Sequence, residues 1–205
     1  MAPPTARRTQ AERSATTRAA LLAATFDSLV EHGFSSTTTT EVTRRAGVSL
    51  GALLHHFPTK ADLLTAAVGH VMQRRQDEFR KAVVDIDLGA DRLDAVIDLL
   101  WAAVDGPTFQ AWVELWVGAR TDPDLADALR VIDAEFERGS LEIFAELFTA
   151  DDYPDARFLQ FGMRFAMSLM DGVALRGLVV QPVDTTPIEL LKTIARERID
   201  RAEDE

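Results

Sequence analysis

The stretch that decides the fold is GFSSTTTTEVTRRAGVSLGALLHHFPTKADLL, residues 33–64. Within it, Thr38 and Glu41 have the spacing of a capping box, in which a hydroxyl and a carboxylate take up free N–H groups at a helix start. The AGVS turn follows, where Gly47 can adopt a positive φ and Ser49 can cap the next helix. The pattern therefore predicts two short helices joined by a tight turn.

These two helices, about 39–46 and 50–56, predict a helix-turn-helix. In this motif the second helix can enter the major groove of DNA, which is about 12 Å wide. The same motif also occurs as simple scaffold. The turn alone leaves both interpretations open.

Helical periodicity extends outward from this segment in both directions, and the sequence predicts an all-α protein of about nine helices. Before it, an apolar stripe predicts a helix that ends at Gly33, and after it a long connecting helix runs from about 60 to 83. Further helices are predicted near 91–105, 107–121, 123–149, 155–180 and 187–203. We expect a helix-turn-helix head with an N-terminal arm at 1–60 and a larger helical body at 61–205.

The charge is divided in the same way. The net charge of −11 would usually argue against nucleic-acid binding, yet basic residues outnumber acidic ones in the first 60 residues and the excess of acid lies beyond them. Screening over roughly 8–10 Å lets a basic head act locally beside an acidic body. This distribution favours a head that touches DNA.

Several other classes of protein are disfavoured by composition. The chain has no cysteine, which excludes disulfides and thiolate chemistry. The apolar stretch at 161–180 is about long enough to span a bilayer, but it carries Arg164, Asp171 and Arg176 and is interpreted as a buried helix with no membrane contact. We expect a cytoplasmic protein without cofactor or metal. His55 and His56 are not expected to bind a metal together, because adjacent residues of a helix point apart.

Residues 33–64 resemble the head of the TetR family of transcriptional regulators. The matching features, in order, are Gly-aromatic, a Thr pair, Ala-Gly-Val-Ser, Gly, Leu, His-Phe, Lys and Leu-Leu. Two positions depart from the pattern. Leu54 stands where a phosphate-binding tyrosine is common, and Thr43 stands where Ala is frequent. His55, His56 or the N-terminal arginines could replace the contact missing at Leu54.

Roles in DNA binding follow from helix geometry and from the resemblance. Thr38 and Thr39 lie at the positive end of the second helix, where a phosphate oxygen is favoured, although a simple cap explains them equally well. The resemblance implies a phosphate contact by Lys60. We expect base contacts from Thr40, Leu50, Ala52 and His55, and the remaining candidates near the DNA are Arg44, Arg45, Ser49, Leu54 and His56. The two arginines are expected to be solvated or near the backbone rather than to read bases.

Large apolar side chains concentrate after residue 100. A core is the default explanation, but Met and Trp also suit adaptable pockets, and the resemblance implies a cavity for a small apolar effector among the middle helices. The candidate lining residues are Trp101, Phe109, Trp112, Glu114, Trp116, Arg120, Phe144, Met163, Met167 and Asp171.

The predicted helix at 155–180 is apolar nearly all round, so more than one of its sides must be buried. Its simplest partner is the same helix of a second copy, joined by the last helix in a two-fold interface. Candidate interface residues are Phe165, Leu169, Leu175, Leu191, Ile194 and Ile199. Arg164, Ser168 and Asp171 share a face. A structural pair, either between subunits or within the helix, would account for them, and so would a ligand anchor.

The sequence therefore predicts a dimeric repressor that binds a palindromic operator in double-stranded DNA and is released by a small apolar effector. Two other classes remain as alternatives. An all-α enzyme finds little support, since no nucleophile elbow, phosphate loop or HExxH pair is present. A dimeric helical adaptor without DNA binding has only Leu54 in its favour.

Overall fold

The computed structural model describes residues 9–84, 92–104, 106–147 and 156–203, with the backbone alone at 82–84, 146–147, 156–160 and 198–203. These residues form nine α-helices and no strand, which confirms the all-α prediction. The helices are α1 Gln10–Ser36, α2 Thr39–Ala46, α3 Leu50–His56, α4 Lys60–Val84, α5 Arg92–Val104, α6 Pro107–Ala119, α7 Pro123–Leu147, α8 Ala156–Gly177 and α9 Thr186–Glu203. The predicted helix limits agree with these to within about three residues.

The regular part of α1 ends at Gly33, as predicted, and one further helical turn follows it. Gly33 has a φ of +77°, so it breaks the helix as expected, but the chain then continues through another turn to Ser36. That turn is held by Thr37, whose hydroxyl donates to the Gly33 carbonyl at 2.9 Å and lies 3.0 Å from the hydroxyl of Ser28. This turn follows the kink at Gly33 because these contacts hold the chain after the glycine.

Helices α1 to α3 and the start of α4 enclose a small apolar core, which we call the head core. It consists of Leu21, Leu22, Ala24, Val42, Leu53, Phe57 and Leu63. Gly47 closes α2 in the left-handed conformation with a φ of +67°, and Val48 packs against the core from the turn. Burial of these seven side chains contributes about 1.5–3 kcal/mol for each large one and stabilises the orientation of α3.

A larger core fills the remainder of the molecule. Helix α4 links the two cores, since Leu63 belongs to the head core while Leu64, Val68 and Phe79 belong to the larger one. Around α4, helix α1 packs on α6, α7 packs on α4, and α5 packs on both α8 and α9. The arrangement places α6 between the end of α1 and the middle of the body.

Ion pairs join helices across the body. Lys192 of α9 donates to Asp98 of α5 at 2.6 Å, and Arg196 pairs with Asp94 one turn further along. Arg164 of α8 pairs with Glu137 of α7, so its partner lies neither on its own helix nor on a second subunit, as was expected, but on a neighbouring helix of the same chain. Among the described residues, no helix has the length and apolarity required to cross a membrane.

Candidate nucleic-acid interface and ligand cavity

The start of α2 presents the three candidate threonines. Thr38 is the N-cap, and its hydroxyl accepts a hydrogen bond from the N–H of Glu41 at 3.2 Å. Thr38 and Thr40 are exposed and Thr39 is half-buried. Thr43, where the family often has Ala, is buried and donates its hydroxyl to the carbonyl of Thr39 at 2.9 Å. The helix end therefore offers hydroxyls and free N–H groups to solvent.

Only half of the predicted capping box forms at α2, because the carboxylate of Glu41 is engaged elsewhere. It accepts from Arg44 at 2.7 Å and from Arg45 at 3.4 Å. Arg45 also donates to Glu31 of α1 at 2.7 Å. The hydrogen bond from Arg44, followed by the contacts of Arg45, lowers the pKa of Glu41 to about 2. Arg45 therefore joins α2 to α1, whereas Arg44 pairs within α2, and DNA contact by either arginine stays a prediction.

Helix α3 turns one face outward. Ser49 caps it, since its hydroxyl accepts from the N–H of Ala52 at 3.2 Å. Leu50 is 51% exposed, Leu54 is 45% exposed and His55 is also exposed. Ala52 and His56 are half-buried, whereas Leu53 and Phe57 lie in the head core. An apolar side chain exposed on a short, well-anchored helix is suited to contact with thymine methyl groups.

Lys60 begins α4 and is exposed. A reciprocal cap precedes it: Thr59 donates its N–H to Asp62 at 2.9 Å, and Asp62 donates its N–H to the Thr59 hydroxyl at 3.0 Å. Sequence reasoning missed this cap, although the Thr-Lys-Ala-Asp spacing is its signal. The ammonium of Lys60 lies 5.3 Å from the centre of the Phe34 ring.

Five of the candidate pocket residues lie together in one cavity between α6 and α8, which we call the α6–α8 cavity. Its volume is about 310 Å³, and it is lined by Phe109, Trp112, Val113, Trp116, Val117, Arg120, Asp171, Gly172 and Leu175. The rings of Trp112 and Trp116 have centroids 5.8 Å apart. Among the described residues, the Oδ1 atom of Asp171 is buried without a hydrogen-bond partner, and burial raises the pKa of this carboxyl.

Three other candidates line a second, much smaller cavity of about 20 Å³, which is enough for one water molecule. They are Phe144, Met163 and Met167. Sequence reasoning missed Arg75, which also lines it. Arg75 is 4% exposed, and its guanidinium lies 4.8 Å from the Phe136 ring and 6.0 Å from the Phe109 ring. Its helical spacing from Val68, Val71 and Phe79 was the available signal.

Two candidate pocket residues have other positions. Trp101 packs against the larger core and lines neither cavity. Glu114 lies on α6, but its carboxylate points toward the head and accepts a hydrogen bond from the N–H of Phe34 at 2.7 Å. The expectation that Glu114 lines the pocket is therefore wrong, because the kink after Gly33 offers it a free backbone donor.

The candidate interface residues divide according to exposure. Phe165, Leu175 and Ile194 are at least half exposed, and Leu169 is half-buried against the larger core. Leu191 is only 6% exposed and belongs to the larger core of its own chain, so its assignment to a dimer interface is wrong. The side chain of Ile199 lies outside the described residues.

A helix-turn-helix head mounted on a larger helical body defines a class of DNA-binding regulators, and comparison with known proteins identifies the family. Residues 21–67 match the family described as bacterial regulatory proteins, tetR family, and residues 89–202 match the BetI-type transcriptional repressor, C-terminal. The chain belongs to the TetR family. It is therefore a DNA-binding transcriptional regulator and not an enzyme.

Similar proteins agree with this assignment. An HTH-type transcriptional regulator of Mycobacterium tuberculosis is 32% identical over 176 residues, which cover 85% of this chain and 90% of that protein. The BetI regulator of Ectopseudomonas mendocina is 31% identical over 164 residues, covering 78% of this chain and 81% of that protein. A regulator from Saccharomonospora viridis, solved in complex with choline, shares the fold with a TM-score of 0.64 and 16% identity, over 91% of this chain and 96% of that one.

Proposed function

We propose that this regulator is a homodimeric repressor whose two heads bind a palindromic operator and whose body binds a small, largely apolar effector that releases the DNA. The head comprises residues 1–60 and the effector-binding and dimerisation body residues 61–205. The observation that carries the proposal is the position of α6. One side of this helix lines a cavity, and the other holds the end of α1 beside the DNA-facing helices.

The DNA contacts are proposed from the exposed surface of the head. Leu50, Ala52 and His55 of α3 face base edges, together with Thr40. Thr38, Thr39 and Lys60 bind phosphates, since two of them lie at a helix N-terminus and the third is an exposed cation. Arg44, Arg45, Ser49, Leu54 and His56 lie around this surface. Two such heads would occupy successive major grooves about 34 Å apart.

The effector is proposed to occupy the α6–α8 cavity. Its volume of about 310 Å³ lies at the lower end of small-molecule sites. Trp112 and Trp116 offer aromatic faces, and Asp171 offers a buried carboxylate oxygen that a hydrogen-bond donor on the effector would satisfy. The choline complex of the regulator from S. viridis supports effector binding by a body of this shape and makes choline a suitable first probe.

The dimer is proposed to form through α8 and α9. Phe161, Phe165 and Leu175 are 67%, 56% and 52% exposed on α8, and Ile194 is 50% exposed on α9. A second copy related by a two-fold axis would bury all four. To test this, Phe165→Glu is examined by sedimentation, with Val131→Glu as a control for an equally exposed residue on α7. A Phe165→Glu protein that stays dimeric would contradict the interface.

Operator binding is tested on a duplex selected from genomic fragments with the purified protein. Lys60→Ala is expected to weaken binding about 5- to 10-fold for every sequence and to lower the slope of log K against log salt by about 0.9. Lys81→Ala is the control, because it removes the same charge from the exposed far end of α4. Equal behaviour of the two variants would contradict the role of Lys60, and the absence of any selected fragment would contradict operator binding itself.

A further inference from the structure

The end of α1 forms a joint between the body and the DNA-facing surface, and four residues meet there. The Phe34 N–H donates to Glu114 of α6 at 2.7 Å, and the Phe34 ring lies against Gly118 one turn further along α6. On the other side, the ammonium of Lys60 lies 5.3 Å from the centre of the same ring. Phe34 is therefore in contact with α6 and with the first residue of α4.

Both contacts with α6 are close enough to constrain Phe34. A methyl group at Gly118 would overlap the Phe34 ring, so no larger residue fits while the ring keeps its place. A methyl group at Gly33 would lie 2.9 Å from the Glu114 carboxylate, and the φ of +77° is itself unfavourable for other residues. The backbone of Phe34 is thus held at one turn of α6 and its ring at the next.

The Phe34 ring favours the position of a cation that the N-terminus of its own helix disfavours. A positive charge in the first turn of a helix is disfavoured by the helix dipole, and a long lysine side chain is mobile in solvent. The face of an aromatic ring attracts an ammonium within about 6 Å and leaves its N–H groups free for a phosphate oxygen. The ring therefore limits where the charge can lie without consuming its hydrogen bonds.

We propose that Phe34 is a positioning residue for DNA binding, which holds the ammonium of Lys60 at the phosphate backbone and transmits the position of α6 to that contact. A shift of α6 at Glu114 and Gly118 moves the ring, and the ring moves the charge. This inference rests on the proposed role of Lys60. It adds to the determinants of operator affinity an aromatic side chain that acts through Lys60.

The test is a double-mutant cycle on Phe34→Leu and Lys60→Ala, measured with the selected duplex and with a random duplex of about 40 base pairs at several salt concentrations. Phe34→Leu alone is expected to weaken binding about 3- to 10-fold and to lower the salt slope by about 0.9, as Lys60→Ala does. In the Lys60→Ala background, Phe34→Leu is expected to have no further effect. Thermal unfolding of each variant confirms that the head is folded.

The link to α6 is tested with substitutions in that helix. Gly118→Ala is expected to reproduce the effect of Phe34→Leu, whereas Gly106→Ala, at an unobstructed position at the start of α6, is expected to leave binding unchanged. Glu114→Gln keeps an oxygen that can accept from Phe34 and should bind DNA normally, whereas Glu114→Leu should not.

Full additivity of Phe34→Leu and Lys60→Ala, or an unchanged salt slope in folded Phe34→Leu, would overturn the inference and leave Phe34 as a packing residue. Normal binding by Gly118→Ala would overturn the link to α6. Failure of Lys60→Ala itself to weaken binding would instead contradict the proposed function, so the two failures are distinguishable.

Discussion

Arg45 of α2 donates to the carboxylate of Glu31 on α1 at 2.7 Å, and the same guanidinium lies 3.4 Å from Glu41. Arg45 therefore binds one carboxylate on α1 and one on α2, and these contacts add to the small apolar core of the head. Because a core of seven side chains is modest, such polar contacts between helices contribute to the orientation of α2. They also give the stability of the head a dependence on pH.

The first prediction concerns that dependence. The pKa of Glu41 is about 2 in the folded protein, against an ordinary value of 4.5, and hydrogen bonding to Arg45 also lowers the pKa of Glu31. A lowered pKa means that the contribution of Glu41 to stability is present above pH 4.5 and is lost as the pH falls toward 2. The native protein should have a larger free energy of unfolding than Glu41→Gln at neutral pH. In denaturant unfolding experiments, this difference should decrease as the pH falls from 4.5 toward 2. An equal difference in the free energy of unfolding at pH 7 and at pH 3 would contradict this prediction.

The second prediction concerns Leu54, which is 45% exposed on α3 where related proteins commonly have tyrosine. Leu54→Tyr is expected to raise affinity for DNA about fivefold, because a hydroxyl bonded to phosphate contributes about 1 kcal/mol. Leu54→Phe supplies the ring without the hydroxyl and is the matched control. The measurement is fluorescence anisotropy with the selected duplex, and equal gains from Tyr and Phe would argue against a phosphate contact.

The third prediction concerns the effector cavity. Trp112 and Trp116 line it, whereas Trp101 packs against the larger core and lines neither cavity. Effector binding should therefore change the tryptophan emission of Trp101→Phe as it does that of the native protein. The change should be lost in Trp112→Phe/Trp116→Phe, and the titration can begin with choline. If Trp101→Phe alone abolished the signal, the cavity assignment would be wrong.

The fourth prediction concerns the attachment of α9 to α5. Lys192 is 7% exposed; burial opposes its charge, but hydrogen bonds to Asp98 and Glu189 outweigh burial and raise its pKa. Lys192→Met keeps the apolar stem and removes the charge, so it should lower the free energy of unfolding by about 0.5–1.5 kcal/mol. That corresponds to a Tm about 1–6 °C lower for a chain of this size. Asp98→Asn, which keeps an acceptor oxygen, should have a smaller effect, and an unchanged Tm in Lys192→Met would refute the prediction.

The helices and the outward face of α3 could be predicted from the sequence because their determinants are local. Thr38, Gly47 and Ser49 act within four residues of their own backbone, and the inward position of Leu53 follows from the helical period. The family resemblance rests on the same short segment. Features of this kind can be predicted without knowledge of the remainder of the fold.

The errors arose where the partner is distant in sequence. Glu114 was expected in the pocket, but its carboxylate accepts a hydrogen bond from the N–H of Phe34, 80 positions earlier in the chain. Leu191 lies on an apolar stripe, and periodicity alone could not say that α5 and α8 of the same chain cover it. The helical spacing of Arg75 indicates that it lies on the apolar face of α4, but the two rings that surround its guanidinium come from distant helices and could not be predicted.

The sequence by itself determined the helix content, the turn at Gly47, the capping of α3 and the family to which the chain belongs. The tertiary structure decided which charged groups meet, where the cavities lie and how α6 reaches both the body and the head. The division has a physical reason. Helix caps and periodicity depend on contacts over three or four residues. A cavity or a hydrogen bond across the molecule depends on how the helices pack, and no local sequence pattern encodes their relative positions.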